Sequence, residues 1–279
     1  LDVSVFLAAL ASALTHAGWN AAARARPDPG RGFACVVFAS GVILLPAAFV
    51  FGLPPAEAWP WLLTGTALNL VSMRALMGAY RAAPFAVAYP VARGVTPFAV
   101  ALAAWVLLRE TPSAVTLLGI VTISGAVTLL TLNARSREPA HLRGLAMAVV
   151  SGLFAAGYTY ADARGVRATG DIVRYAIAVA LMNALSLGTL TAMERVNPVR
   201  VVLSDWRFAF GAGVVSIVSY SLVLFAFLNG PVGPVAALRE TSVVFGTVFA
   251  AVILRESVGA TRWVAVGLTA AGIALIRLG

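Results

Sequence analysis

Val106–Thr111 reads VLLRET, and Val252–Ser257 reads VILRES. Sixteen residues before each of the arginines in these blocks, Arg109 and Arg255, stands another arginine, Arg93 and Arg239. A second pair of blocks agrees in the same order. Ser12–Asn20 (SALTHAGWN) aligns with Ser151–Thr159 (SGLFAAGYT), matching Gly18 with Gly157 and Trp19 with Tyr158. One such match in apolar sequence is plausible by chance, whereas two in the same order point to a chain made of two related halves.

Composition says what surrounds those halves. The chain has 279 residues, 61% hydrophobic and 11% charged, with a mean hydropathy of +0.92. A soluble domain carries about 25% charged residues, so this chain cannot cover a water-facing surface, and lipid is the solvent that fits. The net charge of +9 comes from twenty arginines and no lysine, scattered between apolar runs. That pattern marks loops beside a membrane rather than a nucleic-acid face. Cys35 is the only cysteine, which excludes an internal disulfide and a thiolate metal cluster. The first apolar run lacks the basic flank and small-residue cleavage site of a signal peptide.

At about 20 apolar residues per crossing, ten segments emerge: 3–23, 33–51, 59–80, 85–108, 114–132, 142–161, 172–193, 208–228, 232–254 and 258–276. The expected fold is an all-α membrane protein of ten transmembrane helices. Two five-helix repeats, 1–133 and 142–279, surround a central cavity. Five is odd, so the second repeat enters from the opposite side, giving the inverted topology of many secondary transporters. Short connections such as Arg24–Arg31 (RARPDPGR) and Asn133–His141 (NARSREPAH) leave no room for a soluble domain.

Arginines in the loops after segments one, three, five, seven and nine number twelve, against four on the other side. By the positive-inside rule the first set is cytoplasmic and both termini lie outside.

Charge inside an apolar segment costs roughly 2.5–3.5 kcal/mol on insertion scales. Arg93 in the fourth segment, and Arg239 and Glu240 in the ninth, therefore face the bundle interior. Either an arginine holds a substrate carboxylate and Glu240 carries a coupling proton, or the three form ion pairs locking the halves. Pro90, Gly94 and Pro97 in the fourth segment, and Gly230, Pro231, Gly233 and Pro234 at the start of the ninth, mark hinges or packing kinks. His16 and Asn20 share one face of the first segment, with Trp19 beside them. Tyr80, Tyr89, Tyr158 and Tyr220 are further candidates for an aromatic cavity wall. Ala9, Ala13 and Ala17 form a small-residue packing stripe. Metalloprotease, serine-hydrolase and phosphate-loop motifs are missing, so neither an enzyme nor an ATP-driven pump is expected, and no metal or cofactor.

These features resemble the drug/metabolite transporter superfamily, in its EamA-type branch, which includes bacterial amino-acid and metabolite exporters. The likeness covers nearly the whole chain. Its most specific pieces are Arg93-Gly94, Leu238–Ser242 (LRETS), Arg109-Glu110 and Arg255-Glu256. The resemblance implies a basket of helices in the bacterial inner membrane that works by alternating access as a monomer. It would export small metabolites, aromatic or other neutral amino acids among them. Cavity-lining segments would be the first, third, fourth, sixth, eighth and ninth, where Trp19, Tyr80, Arg93, Tyr158, Tyr220 and Glu240 fall; Ser242 joins the candidate substrate-binding residues. The family pattern usually has Gly-Glu where this chain has Arg109-Glu110 and Arg255-Glu256. It also often has cytoplasmic termini, opposite to the arginine count. A channel or lipid-handling membrane protein, with only structural ion pairs, is the alternative.

Overall fold

The computed structural model describes residues 1–83, 85–129, 139–193, 197–252 and 259–279. Among the described residues every regular element is helical. The helices are α1 (Val3–Arg24), α2 (Pro29–Phe51), α3 (Trp59–Ala82), α4 (Phe85–Leu108), α5 (Ala114–Leu129) and α6 (Pro139–Thr169). The second half continues with α7 (Ile172–Met193), α8 (Pro198–Leu203), α9 (Trp206–Asn229), α10 (Val232–Glu240), α11 (Ser242–Val252) and α12 (Ala260–Leu278).

Local chemistry sets several ends. Asp2 caps α1 by accepting from the Ser4 amide at 2.7 Å. Asp28 caps α2 by accepting from Arg31 N at 3.0 Å, ahead of Pro29 at the first helical position. Gly170, at φ 63°, follows the end of α6 in the conformation glycine best tolerates.

Among the described residues, six helices are long and apolar enough to cross a membrane: those within α2, α4, α6, α7, α9 and α12. The helix α5 is apolar but only 16 residues as described. In α1 the polar Thr15, His16 and Asn20, and in α3 Asn69, Ser72 and Arg74, dilute the apolar character. The outer face is oily: Phe49 and Val50 are 85% and 76% exposed, far more than a water-facing surface would show in a block with Phe51 and Leu53.

Three expectations need correction. The sixth apolar stretch does not stop at Ala161 but runs on as helix to Thr169. The ninth is two helices, broken at Thr241, whose hydroxyl donates to Leu238 O at 2.6 Å. A short helix, α8, fills the connection between the seventh and eighth segments, capped by Asn197.

The helices pair across the halves. Against α1 pack α9, α10 and α11; against α6 pack α3 and α4; α2 lies on α7 and α9, and α5 on α12. Two buried clasps hold the first and second of these groupings. Ser12 Oγ donates to Ser219 O at 2.7 Å, and Ser219 Oγ donates back to Ser12 O at 2.9 Å. Likewise Ser72 Oγ donates to Ser151 O and Ser151 Oγ to Ser72 O, both at 2.9 Å. Ser12 and Ser151 head the two aligned sequence blocks. One clasp thus ties α1 to α9 and the other ties α6 to α3, with the halves exchanged. Small side chains let the backbones approach closely enough for this, which lipid itself does not drive.

The α5–α12 crossing depends on glycine. A Cβ on Gly119 would stand 2.8 Å from Gly272 O, and one on Gly272 would stand 3.0 Å from Gly119 O. Gly125, on the same helix, has nothing within 4 Å. Gly119→Ala is therefore expected to destabilise the folded protein by about 1–3 kcal/mol, the usual range for overpacking. Gly125→Ala should be neutral or slightly stabilising. Thermal unfolding of the purified variants, followed by size-exclusion chromatography, measures both.

Candidate functional site

At the end of α4 the chain turns through Arg109, which takes φ 56°, the left-handed region that favours glycine. The turn returns Glu110 N to Ala104 O at 3.2 Å and aims the Glu110 side chain across to the second half. There one carboxylate oxygen accepts from Val232 N, in the first turn of α10, at 2.7 Å. The other accepts from Arg167 of α6 at 2.8 Å. Arg167 also donates to Phe227 O at 2.9 Å and Gly230 O at 2.7 Å, holding the last carbonyls of α9 and the turn after it. Glu110 thus serves as an anionic cap at a helix N-terminus. A cavity of about 280 Å³ opens beside it, lined among others by Pro112, Thr116, Pro231 and Pro234.

Deeper in the bundle, Arg93 of α4 pairs with Glu240 at the end of α10, Nη1 to Oε1 at 3.3 Å. Glu240 is 4% exposed. Arg239, next to it, is half-buried and forms no ion pair or hydrogen bond among the described residues. Its charge bears on His16 of α1, Asp162 of α6 and Tyr220 of α9. The sequence therefore brings three predicted residues, Arg93, Arg239 and Glu240, to one place, and the glutamate is committed to one of the two arginines.

On α1, Asn20 Nδ2 lies 3.0 Å from His16 Nε2. The His16 ring stands edge-on to Trp19 at 5.0 Å, and Trp19 tilts against Phe33 at 5.8 Å. Trp19 sits in a cluster with Val36 and Ala212, and its indole N–H is buried with no acceptor among the described residues. Tyr158 is half-buried on α6, Tyr80 packs beside Ala79 and Ala83, and Ser242 is buried.

The hinge positions separate. The helix α4 is continuous through Gly94 and Pro97, and a Cβ on Gly94 would collide with the Thr128 hydroxyl, so this glycine serves a close approach to α5. Gly230 and Pro231 form the turn into α10, and Gly233 and Pro234 lie in its first turn. The side chains of Tyr89 and Pro90, and Arg255 and Glu256, lie outside the described residues.

Two residues that the sequence analysis passed over are central. Asp162 is 7% exposed within α6, and Tyr175 of α7, fully buried, donates to its carboxylate at 3.3 Å. Ending the sixth segment at Ala161 put Asp162 in a loop. The signal that finds it is the apolar stretch continuing beyond it to Thr169.

Residues 142–278 match the EamA-like transporter family model. By its second half, the chain is similar to the EamA-like transporter family. Among 29 matching solved chains, one crystal structure, described only as that of a protein, superposes with a TM-score of 0.79 at 19% identity. It covers 100% of this chain and 98% of its own, which shows a shared fold. No curated relative matches. The apolar helices make the chain a multi-pass membrane protein, and its second half is similar to a family of small-molecule transporters.

The glycine expected before Glu110 is here Arg109, placed where glycine is easiest. A non-glycine residue in this conformation costs roughly 1–2 kcal/mol. Arg109→Gly is accordingly expected to raise stability by about 1 kcal/mol, read as an upward shift in thermal midpoint of the purified protein. A lowered midpoint would mean that the Arg109 side chain contributes more than its backbone costs.

Proposed function

We propose that the chain is a secondary transporter that exports amino acids, aromatic or other neutral ones, by alternating access. In this reading residues 1–133 and 142–279 are inverted five-helix repeats of a ten-helix bundle in a bacterial inner membrane, acting as a monomer. The exchange of partners between the halves, with α1 on α9 and α6 on α3 through matching serine clasps, supports the repeat.

The observation that carries the substrate class is Arg239. A guanidinium at membrane depth is retained where it has work to do, and its neighbouring acid, Glu240, is already paired with Arg93. A substrate carboxylate is the partner that suits it, through a bidentate, charge-assisted contact. Asp162 stands within its electrostatic reach, so the opposite charges of a zwitterion have opposite charges to meet. His16, Trp19, Asn20, Arg93, Tyr80, Tyr158, Tyr220 and Ser242 form the surrounding wall. Tyr89 joins them by sequence. The turn at Gly230–Pro234 and the break at Thr241 supply the flexible points of α10 and α11.

Transport in proteoliposomes with a panel of labelled amino acids tests this. Neutral and aromatic members should move, and Arg239→Gln should lower their transport about tenfold or more, since hydrogen bonds to charged groups are worth about 1.5–3 kcal/mol. Protein yield should be unchanged. A wild-type protein that moves none of the panel, with or without a pH gradient, would sink the amino-acid reading.

A further inference from the structure

Asp162 and Glu240 are both acids buried in the bundle, and their surroundings differ. Glu240 has a cation, Arg93, at 3.3 Å. Asp162 has none in ion-pair contact among the described residues. Among the described residues its donor in strict hydrogen-bonding geometry is the neutral hydroxyl of Tyr175, at 3.3 Å. The hydroxyl of Tyr220, from α9, is also buried and faces the same carboxylate as a second neutral donor, just outside strict hydrogen-bonding geometry.

The site is built around this carboxylate. The α3 backbone meets it at Gly65, where a Cβ would stand 3.4 Å from Asp162 Oδ1. One turn on, Gly165 leaves room for the Tyr175 ring, which a Cβ there would strike. The titratable and charged groups that bear on Asp162 are Tyr175 from α7, Tyr220 from α9 and Arg239 from α10. Among the described residues the charged one is Arg239, and it makes no direct contact.

We propose that Asp162 is a proton-binding site that couples transport to the proton gradient. This rests on the transport reading given above. An ionised carboxylate in such a place, with neutral phenols and no cation in contact, is poorly satisfied, and a neutral acid is well suited to it. Rotation of a phenol O–H serves both states. When Asp162 is ionised, Tyr175 and Tyr220 can both donate to it; when it is protonated, its own O–H can donate to the Tyr220 oxygen. Intramembrane carboxylates of this kind serve as proton relays. The same carboxylate can hold a proton or face the ammonium group of a substrate, and not both at once. That competition makes the transport cycle an exchange, with a proton entering as an amino acid leaves. No covalent bond changes beyond the O–H of the carboxyl group.

The test has one arm without substrate and one with it. Infrared difference titration of the purified, lipid-reconstituted protein should show a protonated-carboxyl band that appears as pH falls. Asp162→Asn should abolish it. Tyr175→Phe, which removes a donor to the ionised form, should move its midpoint to higher pH and keeps the proposal testable if the asparagine variant fails to fold. In proteoliposomes, labelled phenylalanine and leucine should accumulate in response to a pH gradient with wild type, and Asp162→Asn should lose that response. A band unaffected by both variants, or gradient-driven accumulation unchanged in Asp162→Asn, would overturn the proposal. If the band behaves as expected while neither amino acid moves, the proton site stands and the amino-acid reading fails. Accumulation that follows a sodium gradient and ignores pH counts against the proton site.

Discussion

Helices in lipid gain nothing by hiding apolar surface from one another, because the tails around them are equally apolar. Their association must come from close van der Waals packing and from polar groups that meet. In this protein that requirement falls on two reciprocal serine clasps, Ser12 with Ser219 and Ser72 with Ser151, each a pair of hydroxyl-to-carbonyl bonds at 2.7–2.9 Å. A hydroxyl that reaches the backbone of a neighbouring helix forces the two backbones together. The glycine contacts, Gly119 with Gly272 and Gly152 with Ala92, do the same without a polar bond. The interface between halves is set by these small residues, and the larger charged groups sit where that interface leaves room.

Those charged groups fall into two kinds. Glu110, Arg167 and the backbone of α9 and α10 form a closed set in which every charge has a partner. Arg93 and Glu240 form another. Asp162 and Arg239 are the exceptions: both lie inside the bundle, and neither has an opposite charge in direct contact among the described residues. Structural charge in lipid is paired, because an unpaired ion at depth is expensive. The two that depart from this are the ones assigned to substrate and proton.

Much of the fold was legible. The all-helical fold and the placement of most helices follow from apolar length, because lipid permits few alternatives, and the VLLRET and VILRES blocks are the sequence signal behind the proposed relation between halves. Tertiary detail was not. The break at Thr241 rests on a side chain bonding back to its own helix, which periodicity does not reveal. At the site, the triplet Arg93, Arg239 and Glu240 was found from charge in apolar sequence, while Asp162 was missed for the same reason reversed: one acid near a segment end was read as a boundary. Trp19 was found by its match to Tyr158, yet its packing among Phe33, Val36 and Ala212 depends on helices far away in sequence.

The inverted relation of the two halves is the claim on which alternating access depends. Single cysteines at Pro27 and Ala168, exposed positions beyond or near the ends of α1 and α6, test it in a Cys35→Ala background, with a membrane-impermeant thiol reagent applied to sealed vesicles. Five crossings separate the two positions in the proposed arrangement. The account predicts that Pro27→Cys and Ala168→Cys are labelled from opposite sides of the membrane. Labelling of both from the same side would contradict it.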